Sequence, residues 1–371
     1  MTIAIKSYTP QQKISKQTIL YITNNFSQVE LAILSATGSK FDYLIYNNSP
    51  QRDYHLATDY NLPTNIKITS DAKSAIMLVG AFSAAITTVG HISPVLNADI
   101  LSVLKACAVM NMPIIEVPHG LFQIGFNLSD DSVFVNTASH TLGAGFPVPS
   151  FADHQVSWFD NADVGYPRYR EVSLKKTDTP VVPDYTVITT NTNWYLYNFE
   201  DQRTIAQSLF ELARANPQKL YIWAAHPAEL NKQNLIHYML GAKPSNLLRY
   251  GHDKEIYFHS IDTTEELIKH AKAGVSTVST CILEYEMYNV PLAIYRNKSL
   301  EGVTNSLEGV TNSLERAAFF SSPDELKDTE FQVPVTGKLH SFNVEGFDLA
   351  LSQILAGPQH RNPIRNVLAI L

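Results

Sequence analysis

The stretch Thr263–Arg296, TTEELIKHAKAGVSTVSTCILEYEMYNVPLAIYR, decides the fold class. Thr263–Ala271 reads as a helix, Ala273–Thr277 as a short strand of small residues, Thr280–Asn289 as a helix and Pro291–Asn297 as a strand. Strands that alternate with helices in this way build a parallel sheet from βα units. Upstream the same rhythm runs through Tyr185–Thr190 (strand), Phe199–Asn216 (helix), Lys219–Pro227 (a strand ending in a polar turn), Glu229–Leu240 (helix) and Glu255–Ser260 (strand). This half predicts a doubly wound sheet of about five strands.

The first half offers the same grammar less regularly. Gln17–Asn25, Phe41–Asn48, Ile66–Thr69, Ser74–Phe82, Ala84–Gly90 and Pro113–Val117 read as strands, with a helix from about Pro94 to Met110. From Phe126 to Tyr169 the pattern breaks into Ser, Asp, Gly and Pro. A linker is predicted over Ser173–Asp184, where charges and two prolines fall together. The expected organisation is a Rossmann-like domain over 1–175, a second over 184–335, and a C-terminal segment, 336–371, that packs back toward the first.

The chain has 371 residues, which suits two domains. With 45% hydrophobic and 17% charged residues it can bury a full core. A formal net charge of −7 gives no basic surplus for a nucleic-acid partner. Cys107 and Cys281 sit in apolar surroundings and read as buried free thiols. The start of the chain lacks the continuous apolar core of a signal peptide, and the apolar stretch Ala75–Val89 falls short of a membrane span. The expected location is the cytoplasm. The basic, apolar tail Arg361–Leu371 leaves room for peripheral contact with the inner face of the membrane. The heptapeptide LEGVTNS occurs twice in tandem, over Leu300–Ser306 and Leu307–Ser313, and reads as a duplication in a surface loop.

In open α/β sheets ligands bind at the carboxyl ends of the strands. His226-Pro227 ends one strand; the proline fixes the turn, and an imidazole held there can bond a phosphate oxygen. Ser276, Thr277, Ser279 and Thr280 follow another strand and precede a helix carrying Glu284, which could accept bonds from a ribose diol. An N-capping run for a core helix explains the same residues. Thr190 and Asn191 end a third strand, as a pocket floor or as a plain turn. In the first half, His91 and His119 end neighbouring strands.

Four segments resemble GT-B glycosyltransferases, in the expected order. Val117–Gly120 (VPHG) resembles the His-Gly turn of bacterial capsule and teichoic-acid transferases, and Val164–Tyr169 (VGYPRY) the segment leading from the first domain to the second. Ala224–Glu229 (AAHPAE) is similar to the His-Pro motif of CDP-glycerol glycerophosphotransferases and of bacterial sialyl- and Kdo-transferases. Thr263–Arg296 resembles the Ser/Thr-to-Glu block of the same group. The resemblance implies two Rossmann-like domains facing across a cleft, the nucleotide donor on the second and the acceptor on the first. It favours a cytidine-linked sugar donor, such as CMP-Kdo or CMP-sialic acid, and a hydroxyl of a capsule polysaccharide, lipopolysaccharide or related glycan as acceptor. A basic residue is missing both beside the His-Gly turn and after the His-Pro, which favours sugar transfer over glycerophosphate transfer.

On that reading His226 and the Ser276–Thr280 amides stabilise the departing phosphate, and Glu284 holds the ribose. His119 is the first candidate for general base, followed by Glu116 and Asp130. Closure about the linker excludes water from the reaction. No cofactor and no metal ion is expected. The alternatives are a CDP-polyol phosphotransferase, a UDP-sugar 2-epimerase, and a non-catalytic nucleotide- or glycan-binding protein.

Overall fold

The computed structural model describes residues 17–48, 62–90, 98–118, 120, 150–159, 161–170, 183–191, 197–226, 229, 242–250, 263–296, 314–358, 361–366 and 368. The chain divides into two units, one of Met1–His119, Val148–Lys176 and Leu339–Leu371, the other of Gly120–Pro147 and Thr177–Lys338.

The first unit is built on β1 (Thr18–Thr23), β2 (Asp42–Asn47), β3 (Ile66–Thr69), β4 (Ala84–Thr87), β5 (Ile114–Glu116) and β6 (His154–Gln155), all parallel, in the order β3-β2-β1-β4-β5-β6. Its helices are α1 (Phe26–Ala36), α2 (Ala72–Leu78), α3 (Ala98–Val109) and, from the end of the chain, α8 (Val344–Ala356). Ala75 and Val79, with Ile100, Val103, Leu104 and Cys107 of α3, join Leu20, Leu44, Ala85 and Ile114 of the sheet in one core.

One segment differs from the sequence reading. Ser74–Phe82 was expected as a strand and is instead the end of α2 followed by a 3₁₀ turn, Val79–Ala81. The signal lies upstream: Asp71 caps the helix, accepting from the Lys73 amide at 3.0 Å and the Ser74 hydroxyl at 2.6 Å. An apolar run of this length fits a strand or a buried helix, and only its cap separates them.

The C-terminal segment packs into the first unit. Leu368 is buried in its core, and Arg365 is buried against Asp153 at 2.5 Å. The same guanidinium donates to the Met112 carbonyl at 2.9 Å, while Asp153 accepts from the Ile114 amide at 2.9 Å. The tail expected to touch a membrane therefore spends Arg365 and Leu368 inside the protein. The Val164–Tyr169 segment is held in this unit too. Gly165 has φ +69°, and a Cβ there would run into the Ser341 carbonyl. Arg168 pairs with Glu30 at 2.7 Å and donates to the Ser27 hydroxyl at 2.8 Å.

The second unit repeats the plan with β7 (Tyr185–Thr190), β8 (Leu220–Ala225), β9 (Leu247–Arg249), β10 (Ala273–Ser276), β11 (Leu292–Tyr295) and β12 (Ala318–Phe320), in the order β12-β11-β10-β7-β8-β9. Its helices are α4 (Phe199–Ala215), α5 (Thr264–His270), α6 (Cys281–Met287) and α7 (Pro323–Asp328). Successive strand residues point to opposite faces. Ile188 and Trp223 join α4 residues Ile205, Leu209 and Phe210 in one core, whereas Val187 and Ile222 join Leu267 of α5 and Ile282 and Tyr285 of α6 in another. Two packed faces make the sheet doubly wound. Gly274 is required where β10 passes Tyr285, since a Cβ would run into that ring. Among the described residues there are six strands where about five were expected; β9 and β12, of three residues each, are too short to carry a pattern. The Glu255–Ser260 strand, most of the Glu229–Leu240 helix, the Ser173–Asp184 linker up to residue 182, and the tandem repeat up to residue 313 lie outside the described residues.

Counted within each unit, both sheets have the strand order 3-2-1-4-5-6 of the Rossmann fold. The chain has the GT-B type of fold: two Rossmann-like, doubly wound α/β domains. Among the described residues no helix is long and apolar enough to cross a membrane.

Candidate functional site

The strand order fixes where a ligand pocket forms. Chain connections leave in opposite directions from the first and fourth strands of a Rossmann sheet, and a crevice opens between their carboxyl ends. In the second unit those strands are β7 and β10, with β8 on the other side of β7. Their tips carry Thr190-Asn191, Ser276-Thr277 and His226, all singled out from the sequence.

Backbone bonds tie the tips together. The His226 amide donates to the Thr190 carbonyl at 3.0 Å, and the Asn191 amide donates to the Thr277 hydroxyl at 2.8 Å. Three of the expected donor-binding hydroxyls are spent inside the protein. The Thr190 hydroxyl accepts from the Trp223 indole at 2.7 Å and donates to Glu229 at 2.7 Å. Ser276 accepts from the Thr189 hydroxyl at 2.9 Å and donates toward the Thr189 and Thr277 carbonyls, at 3.0 and 2.8 Å. Thr190, Ser276 and Thr277 are buried. They brace the floor of the crevice and do not present hydroxyls to a ligand, which corrects the direct-contact role expected of them. Glu284 is likewise a buried carboxylate in the first turn of α6.

The half-exposed polar groups at these tips are Asn191, His226, Ser279 and Thr280. Ser279 also accepts from the Cys281 amide at 3.3 Å. Burial lowers the His226 pKa below its ordinary 6.5, so the imidazole is neutral at pH 7 and can donate one hydrogen bond and accept another. Pro227 lies outside the described residues.

Glu229, read from sequence only as a helix start, holds the centre of this arrangement. It is fully buried, and its Oε2 accepts from the Thr190 hydroxyl at 2.7 Å and from the His226 amide at 2.8 Å. The Glu229 amide returns to the His226 carbonyl at 2.8 Å. A glutamate three residues after a strand end, reaching back to the amide, is half of a capping box, and His-Pro-x-Glu carries that spacing. Tyr197, also unforeseen, donates nothing to the crevice; its hydroxyl accepts from the Val278 amide at 3.0 Å.

His91, His119 and Asp130 lie outside the described residues. Glu116 is placed clearly. It is fully buried and accepts from the Gly90 amide at 2.8 Å, the Ser150 hydroxyl at 2.8 Å and the Gln155 amide at 2.9 Å. A carboxylate surrounded in this way ties β4, β5 and β6 together; it is not open to an acceptor hydroxyl, which corrects its expected role as a reserve base. Pro118, beside His119 in sequence, accepts at its carbonyl from the buried Trp158 indole at 2.5 Å. Gly120 belongs to the second unit, where a Cβ on it would run into the Thr280 side chain. Among the described residues no three His, Cys, Asp or Glu side chains form a metal-ligating group. Cys107 is buried, with its thiol pushed up to about 12 by burial.

No family model matches the chain, and no curated protein matches it. Solved structures do. One from Listeria monocytogenes, described as a candidate UDP-N-acetylglucosamine 2-epimerase, aligns with a TM-score of 0.51 at 8% identity over 96% of this chain and 94% of its own. The wall teichoic acid polymerase TagF aligns at 0.48 and 10% identity over 92% and 89%. The UDP-GlcNAc 2-epimerase of Methanocaldococcus jannaschii, solved with UDP-GlcNAc and UDP, aligns at 0.45 and 12% over 93% and 94%. At such identities the likeness of the first of these concerns the fold alone.

Proposed function

We propose that the protein is a glycosyltransferase that binds a nucleotide-activated sugar, with a CMP-linked donor favoured, at the crevice of its second sheet and passes the sugar to a hydroxyl of a cell-surface glycan. One observation carries the reading. The polar segments picked out from the sequence, at residues 190–191, 226 and 276–280, fall on three adjacent strand tips around the switch point between β7 and β10. That is where a Rossmann sheet binds nucleotides.

The residues divide the work between support and contact. Thr190, Ser276, Thr277 and Glu229 hold the tips in register. His226, Asn191, Ser279 and Thr280 face the donor. A neutral His226 donates a hydrogen bond to the phosphate oxygen on which charge builds as the sugar leaves; a donor fixed before the reaction needs no reorganisation when that charge develops. His119 is assigned the acceptor's proton, since it is the first-domain candidate whose carboxylate rival, Glu116, is enclosed. The donor is a substrate, and the reading assigns no cofactor and no metal ion.

The test is a thermal-shift panel of CMP, CDP, UDP and GDP, because a ligand that binds only the folded state raises its apparent stability. CMP or CDP is expected to give the largest shift, and His226→Ala to remove most of it. A CDP shift with turnover of a CDP-polyol would make the protein a polyol phosphotransferase, and turnover of UDP-GlcNAc without acceptor would make it an epimerase. An equal CMP shift in parent and His226→Ala would remove His226 from the phosphate.

A further inference from the structure

Tyr197 is a buried residue beneath the crevice that the proposed donor contacts do not use. It stands just before Asn198, the residue that caps α4. Its ring packs in the core on the α4 face of the second sheet, 6.0 Å from the ring of Tyr295 at the end of β11. Its hydroxyl reaches out of that core. It accepts from the Val278 amide at 3.0 Å and is bonded by the Thr277 hydroxyl, which itself accepts from the Asn191 amide at 2.8 Å. Through Thr277, one phenol oxygen joins the turn after β10 to the tip of β7, the two strands that flank the switch point.

The turn between β10 and α6 is held at three points. Thr277 is fixed by its amide, which donates to the Thr189 carbonyl at 3.2 Å. Ser279 accepts from the Cys281 amide at its hydroxyl, at 3.3 Å, and from the Ile282 amide at its carbonyl, at 3.1 Å. Val278 lies between them, and its amide is the one that Tyr197 holds. The Val278 side chain belongs to the other core, with Ile282 and Tyr285 of α6. The Tyr197 hydroxyl thus reaches from the α4 face, across the end of the sheet, to a residue anchored on the α6 face. A buried amide left without an acceptor is costly, so the turn keeps its shape as long as a hydroxyl is there to accept. A phenylalanine would fill the same ring volume and lose that acceptor. The neighbouring polar groups serve α4 instead: Asp201 accepts from the Asn198 amide at 3.0 Å and from the Tyr295 hydroxyl at 3.2 Å.

We propose that Tyr197 is a positioning residue for the nucleotide donor: by holding the Val278 amide it sets Ser279 and Thr280, the next two residues, in the arrangement that receives the donor. The role rests on the glycosyltransferase reading and gives it a residue that touches no substrate. A contact group binds only as well as its support fixes it beforehand. Once the tether is lost, the turn samples other arrangements, and affinity falls with the fraction that remains competent.

Titration calorimetry with CMP and hydrogen exchange on the full chain test this with two variants. Tyr197→Phe keeps the ring and removes the acceptor. Tyr295→Phe removes a hydroxyl from the same core and leaves the Val278 amide bonded. Tyr197→Phe is expected to weaken CMP binding about tenfold, the worth of one buried hydrogen bond, and to speed exchange over residues 276–281. Tyr295→Phe is expected to lose a similar amount of melting temperature and to keep the parent's CMP affinity and its exchange over that turn. In the parent, which needs no variant to fold, the Val278 amide should exchange more slowly than those of Ser279 and Thr280. The proposal is overturned by a Tyr197→Phe chain that binds CMP as the parent does, by equal losses of affinity in the two variants, or by a parent Val278 amide that exchanges as fast as its two neighbours. A parent that binds none of CMP, CDP, UDP and GDP would instead remove the donor reading itself, and this role with it.

Discussion

The two sheets have one strand order and hold their strand ends by different chemistry. The first unit uses buried ion pairs. Arg365–Asp153 ties the end of the chain to β6 and β5 at 2.5 Å, and Arg168–Glu30 ties the Val164–Tyr169 segment to α1 at 2.7 Å. Among the described residues the ion pairs of the second unit stand on its surface, as in Lys327–Glu211, whose side chains are 37% and 40% exposed. Its strand tips are held instead by hydroxyl and amide hydrogen bonds, from Thr190 and His226 to Glu229 and among Thr189, Asn191, Ser276 and Thr277. The contrast shows what each arrangement suits. Ion pairs between distant segments fix the route of a discontinuous chain. A hydroxyl network braces the strand tips and leaves the polar groups beside it half-exposed.

The largest expected effect breaks the first kind of support. Arg365→Met leaves Asp153 charged and buried, and should cost about 3–5 kcal/mol in denaturant unfolding. Glu229→Ala removes the acceptor of the buried Thr190 hydroxyl and one of the two acceptors of the His226 amide, at about 1–3 kcal/mol, and should weaken CMP binding in the thermal-shift assay beyond that stability loss. Glu116→Ala should cost a similar amount and leave CMP binding unchanged, which sets the two buried carboxylates apart. Lys327→Ala, at the surface, should leave the denaturant midpoint close to the parent's.

The smallest effect concerns pH. The folded pKa of His226 lies below 6.5 because burial disfavours its charged form. As pH falls through 6.5 the unfolded imidazole takes up a proton while the folded one stays neutral, so stability falls until the lower folded pKa is passed and the full loss persists below it. The parent should therefore lose more melting temperature than His226→Gln on acidification below 6.5. Equal slopes would mean that the imidazole is solvated in the folded chain.

Much of this was legible in the residues. The alternation of β-branched runs with helical segments specified α/β layering twice over, and the polar residues after Tyr185–Thr190, Lys219–Ala225 and Ala273–Ser276 marked the strand tips. The misread segment, Ser74–Phe82, failed because periodicity over so few residues does not separate a strand from a buried helix; the Asp71 cap did. Three-residue strands such as β9 and β12 were invisible because pairing, not sequence pattern, makes them strands.

The sequence by itself determined which residues end β7, β8 and β10 and that the chain would form α/β sheets twice over, since periodicity and punctuation are local properties of the chain. Only the tertiary structure decided which of those residues are free to act. Thr190 meets Glu229 across 39 positions, Ser276 meets Thr189 across 87, and Arg365 meets Asp153 across 212. A hydroxyl or a carboxylate is support or site according to who takes its hydrogen bonds, and strand order and register choose those partners.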